Sequence, residues 1–112
     1  MDDAKSRLRR IVGDEGIARL DAARIAVFGL GGVGSSCAEA LVRGGVGNVL
    51  LIDKDAVEPS NINRQAIAFV STIGRRKVDV MRDMALDINP DVRVEVLDAF
   101  VNAENLDELM SE

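Results

Sequence analysis

A glycine-rich turn is the stretch of this sequence whose residue types are best suited to bind an anion. It follows the apolar run 25–28, precedes a helical stretch of small residues, and reads Gly29-Leu30-Gly31-Gly32-Val33-Gly34. A strand, a glycine turn and a helix in this order present backbone N–H groups to a phosphate, and the missing side chains allow it to come close. The turn therefore predicts a nucleotide site, although a tight strand-to-helix turn can need the same glycines for packing alone.

A second apolar run places a carboxylate where a nucleotide fold needs one. Residues 49–52 are Val-Leu-Leu-Ile, and Asp53 follows them directly. This carboxylate lies about twenty residues after the glycine turn. Folds that bind dinucleotides use an acid at this spacing to hold the ribose. The pair of features favours nucleotide binding over a purely structural turn.

A polar loop, residues 54–65, follows the second run, at a position where open α/β sheets bind their ligands. A solvent-facing loop can have such a composition by chance. Beyond it, Gly74-Arg75-Arg76-Lys77 begins a helix that the Asn89-Pro90 pair ends. The loop contains two acids, two amides that flank an Ile, and then Arg64-Gln65.

Strands and helices must alternate to position these residues. The apolar periodicity predicts helical pieces over 1–21 that break near Gly13, strands at 24–29, 48–53 and 92–96, and helices at 33–43, 74–89 and 102–110. The order predicts an α/β fold, the N-terminal half of a Rossmann-like doubly wound parallel sheet with strand order 3-2-1. Residues 1–22 would form an N-terminal helical segment and 23–112 a truncated half domain. Since the first strand would be a wholly apolar edge, we expect a partner or further chain to cover it.

Composition limits the class of protein. The 112 residues are 47% hydrophobic but only 3% aromatic, so one aliphatic core is expected. A formal charge of −5 argues against general nucleic-acid affinity, although a local basic patch would be compatible with it. We find neither a secretory signal nor a membrane span, and we expect a soluble, cytoplasmic protein. Because the chain has no His, Cys37 is predicted to be a small buried hydrophobe rather than a nucleophile.

In their order, these motifs resemble the ATP-dependent adenylating superfamily of ThiF, MoeB and the ubiquitin-activating enzymes. The resemblance lies in the turn 29–34 with its extra Gly32, and in the segments 51–55, 60–65 and 74–77. The Asn-x-Asn-Arg-Gln form, the opening Arg-Leu-Arg-Arg-Ile and the Asp-Ile-Asn-Pro before the third strand look most like the tRNA threonylcarbamoyladenosine dehydratase branch.

The resemblance implies that the glycine turn and the polar loop hold ATP. The turn glycines would lie against the nucleotide, and Asp53 would accept hydrogen bonds from the ribose hydroxyls. Three loop residues would line the triphosphate. The implied ATP-binding set is Gly29, Gly31, Gly32, Gly34, Asp53, Asp55, Asn61, Arg64, Gln65 and Lys77.

Three cations carry the catalytic roles that the resemblance implies. Arg64 and Lys77 would stabilise charge while a carboxylate attacks the α-phosphate and pyrophosphate departs. Arg10 matches the second arginine of the family's Arg-x-x-Arg, which reaches the ATP of the neighbouring subunit, so a homodimer is expected. The rest of that basic cluster, Lys5, Arg7 and Arg9, is interpreted as a solvated helix face.

The magnesium site that the resemblance implies would be incomplete. The family continues into a strand that ends in an Asp, which helps to hold Mg²⁺, whereas this chain stops at Glu112. Asp55 is a candidate ligand, with the main carboxylate expected beyond Glu112. We therefore predict a fragment of a longer enzyme that is inactive alone.

Several functions fit these residues. The first is adenylation of the threonylcarbamoyl carboxylate on a tRNA adenosine, followed by intramolecular capture that closes a ring. The second is adenylation of the C-terminal Gly-Gly of a ubiquitin-like sulfur carrier protein. An NAD-binding oxidoreductase would explain the glycines and Asp53, but it gives no role to Asn61, Arg64, Gln65 and Lys77. A non-catalytic module that retains the fold for dimerisation is a further alternative.

Overall fold

Helices and parallel strands alternate in the computed structural model, which describes residues 6–99. The apolar runs form β1 and β2, and the glycine pair 44–45 and Pro90 fall between the elements. This confirms the predicted α/β, Rossmann-like architecture. The elements are α1 (Ser6–Ala22), β1 (Arg24–Phe28), α2 (Gly32–Arg43), β2 (Asn48–Ile52), α3 (Lys77–Ile88) and β3 (Arg93–Leu97), with short 3₁₀ turns at Pro59–Asn61 and Val70–Thr72.

The three strands form one parallel sheet in the order β1-β2-β3, as predicted. In the register of the sheet, Leu51 of the central strand lies between Val27 and Val96. Most of β2 is buried, whereas β1 and β3 are only partly covered. Within residues 6–99 no strand pairs with the outer edge of β1. What covers the edge stays a prediction.

The core forms where α2 and α3 pack against each other and against the sheet. Helix α3 buries Val78, Met81 and Ala85, the face that its periodicity predicted. Helix α2 ends at a glycine pair, also as predicted, and Gly45 supplies the positive φ of 94°. The two helices and β2 thus hold the carboxyl ends of the strands in place.

Burial of Cys37 was predicted, and this prediction is wrong because the residue is exposed. The buried face of α2 consists of Ser35, Ala38 and Val42, which follow the spacing i, i+3, i+7. Cys37 precedes Ala38 by one position, about 100° around the helix. It therefore lies on the same side as Val33, which is 87% exposed.

The N-terminal helix is bent and attached to the amino ends of the strands. It breaks at Gly13 (φ 72°, ψ 175°), near the predicted position. Its last turn accepts hydrogen bonds at the Asp21 carbonyl from Asn48 Nδ2 (3.2 Å) and from Arg93 Nη2 (2.7 Å). A Cβ on Gly47 would lie 1.9 Å from the same carbonyl oxygen, so this contact requires glycine.

Two predictions about the ends of the chain are not tested by these elements. The helix predicted at 102–110 lies outside the described residues. The division into segments 1–22 and 23–112 also stays a prediction. Within the described part of the chain, no helix has the length and apolar character that crossing a membrane requires.

Candidate nucleotide site

The glycine turn joins the end of β1 to the start of α2 and leaves space for a ligand. Gly29 has a φ of 87°, a conformation that favours glycine. A Cβ on Gly34 would lie 1.8 Å from the Gly29 carbonyl oxygen, so the first turn of α2 can approach the loop only with glycine there. At Gly31, by contrast, no described atom lies within 4 Å of the Cβ position. The turn is therefore closed on the side of the fold and open at Gly31.

Asp53 holds the turn from the end of β2. Its Oδ2 accepts the Leu30 N–H at 2.5 Å, and its Oδ1 accepts the Asp55 N–H at 2.7 Å. Each carboxylate oxygen has two lone pairs, so one on each remains for a ligand hydroxyl. The sequence predicted only ribose binding for Asp53, and its structural task was missed.

A cavity of about 380 Å³ opens at the carboxyl ends of β1 and β2. This is the place where open α/β sheets bind ligands. It offers apolar surface for a ring and carboxylates for hydroxyl groups. Its lining residues are Phe28, Gly29, Ile52, Asp53, Lys54, Asp55 and Ala99.

The polar loop contributes two buried amides that behave differently. Asn61 is buried, and its Oδ1 accepts the Glu58 N–H at 2.8 Å, which shapes the loop. Gln65 is 8% exposed, and its Oε1 is buried without a hydrogen-bond partner among the described residues. Since buried polar atoms are normally paired, Gln65 has an acceptor available for a ligand or a water molecule.

Arg64 is exposed, and its described contacts lie within its own loop. Its Nη1 donates to the Ser60 carbonyl oxygen (2.9 Å) and to Asn63 Oδ1 (3.3 Å). The backbone of Arg64 lies against the glycine turn, because its carbonyl oxygen is 3.4 Å from the Cβ position of Gly32. The backbone of the polar loop thus lies against the glycine turn, whereas the Arg64 guanidinium contacts its own loop.

Lys77 is a buried cation at the first position of α3. It is 6% exposed, and its backbone N–H donates to the Asp55 carbonyl oxygen at 3.0 Å, which links it to the cavity lining. Among residues 6–99 its ammonium group makes no hydrogen bond or ion pair. The preceding cations are both paired, Arg75 with Asp83 at 2.6 Å and Arg76 with Asp79 at 2.8 Å. Of these three adjacent cations, only Lys77 has its charge available.

Arg76 stabilises the start of α3, immediately before Lys77. Its guanidinium donates two hydrogen bonds to the Asp79 carboxylate, 2.8 and 3.2 Å long, and one to Asp98 Oδ2 at 3.3 Å. The hydrogen bond to Asp79 is the main reason that the pKa of Arg76 is raised, and the same bond lowers the pKa of Asp79. Both groups stay charged near neutral pH, so this ion pair at the start of α3 persists there.

Two residues that the sequence reasoning did not select also lie at the site. Lys54 lines the cavity, and its position between Asp53 and Asp55 was the available signal. Ser35 is fully buried directly after Gly34, where a polar residue inside a buried helix face was the signal.

The magnesium role of Asp55 stays a prediction, because the described residues contain no group of three potential metal ligands. Arg10 is exposed on α1 and does not line the cavity, and its predicted reach into a neighbouring subunit stays a prediction.

Comparison with known proteins gives one family model and several relatives. A model described as the ThiF family matches residues 4–112. The chain is 47% identical over 103 residues to the tRNA threonylcarbamoyladenosine dehydratase of Bacillus subtilis (strain 168). This match covers 92% of this chain and 41% of that protein. It is 35% identical over 98 residues to the molybdopterin-synthase adenylyltransferase of Escherichia coli (strain K12), with 88% and 39% covered.

A solved structure shows the same fold with a nucleotide. The Escherichia coli tRNA N6-threonylcarbamoyladenosine dehydratase TcdA, in complex with ATP, matches with a TM-score of 0.90 and 43% identity. The match covers 92% of this chain and 42% of that one. The chain therefore spans about two fifths of the length of the relatives that it matches.

Proposed function

The chain belongs to the ThiF family, and we propose that it supplies the ATP-binding part of an enzyme that activates a carboxylate by adenylation. The observation that carries this proposal is Lys77, a buried cation with no partner in the described part of the chain, attached to the cavity lining through Asp55. No described group balances its charge, and the phosphates of a bound nucleotide would supply the opposite charge. The ATP complex of the E. coli relative supports the choice of nucleotide.

The residues present fit ATP. The space at Gly31 admits a phosphate near the N–H groups of the first turn of α2. The free lone pairs of Asp53 suit the ribose hydroxyls, and Phe28 adds apolar surface to the cavity. The Gln65 oxygen and the Lys77 ammonium have no partner within the described residues and are therefore available to a ligand.

In the proposed reaction, a carboxylate oxygen of the substrate attacks the α-phosphorus of ATP. The bond from that phosphorus to the bridging oxygen breaks, pyrophosphate leaves with the electron pair, and an acyl-adenylate remains. Lys77 would stabilise the charge that spreads over the phosphoryl oxygens. Arg64 would join it after releasing its contacts within the loop. Mg²⁺, when bound, would neutralise further phosphate charge, and Asp55 is our candidate ligand.

We assign the substrate to threonylcarbamoyladenosine in tRNA, because 47% identity links the chain to a dehydratase of that name. The activated carboxylate would be captured within the same molecule, which requires no thioester-forming cysteine. The alternative substrate is the C-terminal Gly-Gly of a ubiquitin-like sulfur carrier, which the similarity to a molybdopterin-synthase adenylyltransferase favours. A cytoplasmic homodimer in which Arg10 reaches the partner's site belongs to the same proposal.

The test has a binding arm and a reaction arm. Calorimetry on this chain should show binding of ATP and no comparable binding of NAD, and a clear preference for NAD would contradict the adenylation proposal. The longer polypeptide to which we assign the chain should form AMP from ATP with tRNA that carries threonylcarbamoyladenosine. AMP formation only with a carrier protein would favour the alternative substrate. Pyrophosphate release by the 112-residue chain alone would contradict our expectation that it is inactive.

A further inference from the structure

The Ser35 hydroxyl connects two segments of the candidate site. It is 0% exposed, in the first turn of α2. Its Oγ donates to the Gly31 carbonyl oxygen at 2.7 Å and accepts the Ala66 N–H at 3.3 Å. The first bond is the ordinary return of a helical serine to the residue four positions earlier. The second spans 31 residues of sequence and has no such local explanation.

Both ends of this connection adjoin residues with proposed roles in ATP binding. Gly31 lies at the open side of the glycine turn, whereas Ala66 directly follows Arg64 and Gln65. The two segments also approach each other at Gly32, whose Cβ position is 3.4 Å from the Arg64 carbonyl oxygen. Among the described hydrogen bonds between side chain and backbone, the one from Ala66 to Ser35 alone joins the polar loop to α2.

We propose that Ser35 is a positioning residue that sets the polar loop against the glycine turn in the geometry that ATP binding needs. This inference rests on the proposed function. Without the hydroxyl, the partly buried Ala66 N–H would lose its acceptor and the loop could move away from the turn. A displacement of about 1 Å is enough to weaken a site of several converging groups. Ser35 itself is too deeply buried to contact a ligand.

A purely structural serine would behave differently from a positioning residue. Its loss would lower the stability of the fold, while the ATP affinity of the folded protein would stay the same. The experiment therefore measures ATP affinity well below the unfolding temperature of every variant. It also follows hydrogen exchange at the Ala66 amide without ATP, which reports directly on the bond to Ser35.

The variants are Ser35→Ala, Ser35→Cys and the matched control Ser36→Ala. Ser36 is the next residue on α2 and is exposed. Ser35→Cys nearly preserves the side-chain volume but offers a weaker acceptor. In Ser35→Ala we expect the Kd for ATP to rise about tenfold, the equivalent of 1.4 kcal/mol, and the Ala66 amide to exchange faster. Ser35→Cys should lie between Ser35→Ala and the unsubstituted chain, and Ser36→Ala should match the latter.

The outcomes separate this inference from the function on which it rests. If the unsubstituted chain does not bind ATP, the proposed function fails, and the positioning role fails with it. If that chain binds ATP and Ser35→Ala binds it equally well, only the positioning role is overturned. An equal loss of affinity in Ser36→Ala would also overturn it, because the effect would then belong to the helix and not to the buried hydroxyl.

Discussion

The Lys77 side chain offers a test in which stability and ligand binding should change in opposite directions. We propose the substitution Lys77→Met, which retains a long unbranched side chain but removes the charge. Lys77 is 6% exposed and has no partner for its ammonium among residues 6–99. Replacing a buried ion pair by apolar side chains of similar volume often leaves stability unchanged or raises it by about 1–4 kcal/mol, and we expect the same sign for a lysine without a partner. For a single side chain at a helix start we expect a gain of about 1 kcal/mol in the free energy of unfolding without ATP.

The binding arm of this prediction has the opposite sign. A hydrogen bond to a charged group is worth about 1.5–3 kcal/mol, and the Lys77 ammonium is the buried cation that we assign to the phosphates. Loss of that contact should raise the Kd for ATP by about 10- to 100-fold. Without ATP, by contrast, the expected stability gain of about 1 kcal/mol should raise the melting temperature of the same variant by about 4–8 °C in a domain of this size.

Thermal unfolding and calorimetry with ATP measure the two arms. The matched control is Arg75→Met, which removes a cation two positions away that is exposed and paired with Asp83. It should leave the ATP affinity unchanged. If Lys77→Met destabilised the chain while ATP still bound with its original affinity, Lys77 would have a structural role and the argument from its unpaired charge would be refuted.

Three further predictions concern the turn, its carboxylate and the start of α3. Gly34→Ala should cost about 2–3 kcal/mol in denaturant unfolding, since its Cβ would lie 1.8 Å from the Gly29 carbonyl oxygen; near-native stability would refute that packing. Asp53→Asn should lower stability by about 1–3 kcal/mol and weaken ATP binding, because an amide oxygen can serve only one of the two backbone N–H groups; a loss of binding alone would contradict the structural task. Because the pKa of Asp79 is lowered below 3.8, its contribution to stability is present above that pH and is lost as pH falls through the lowered pKa. In Arg76→Ala, NMR titration should show the pKa of Asp79 moving back towards 3.8, and an unchanged pKa would show that Arg76 is not the cause.

The elements of the fold were predictable because their signals are local. Continuous apolar runs mark β1 and β2, the alternating residues 92–96 mark β3, and the positions of Gly13, Gly45 and Pro90 mark where helices break or end. The contact of Arg93 Nη2 with the Asp21 carbonyl oxygen spans 72 residues, and no local pattern indicates it. Cys37 was misplaced because the same helix contains Val33, Ala40 and Leu41, whereas burial depends on which side of α2 faces the core.

Motif order predicted which residues form the site, but it could not predict the contacts that they make. Of the predicted residues, Gly29, Asp53 and Asp55 line the cavity, whereas the roles of Gln65 and Lys77 in binding stay predictions. The orientation of Arg64 could not be predicted, because it depends on where the Ser60 carbonyl points after the loop has folded. Motif spacing carries no information of this kind.

The proposed ATP-binding residues divide by whether their polar groups are already used within the fold. Asp53 and Asn61 accept hydrogen bonds from backbone N–H groups, so removing either side chain disturbs the loop as well as any ligand contact. Gln65 Oε1 and the Lys77 ammonium have no partner within the described residues, so their loss should affect binding more than folding. Ser35 belongs to both classes in our proposal. Its hydroxyl is hydrogen-bonded within the fold, and it also positions the loop that carries Gln65. A loss of ATP binding after substitution of Asp53 would therefore not by itself establish a ligand contact, whereas the same loss after substitution of Lys77, with stability retained, would.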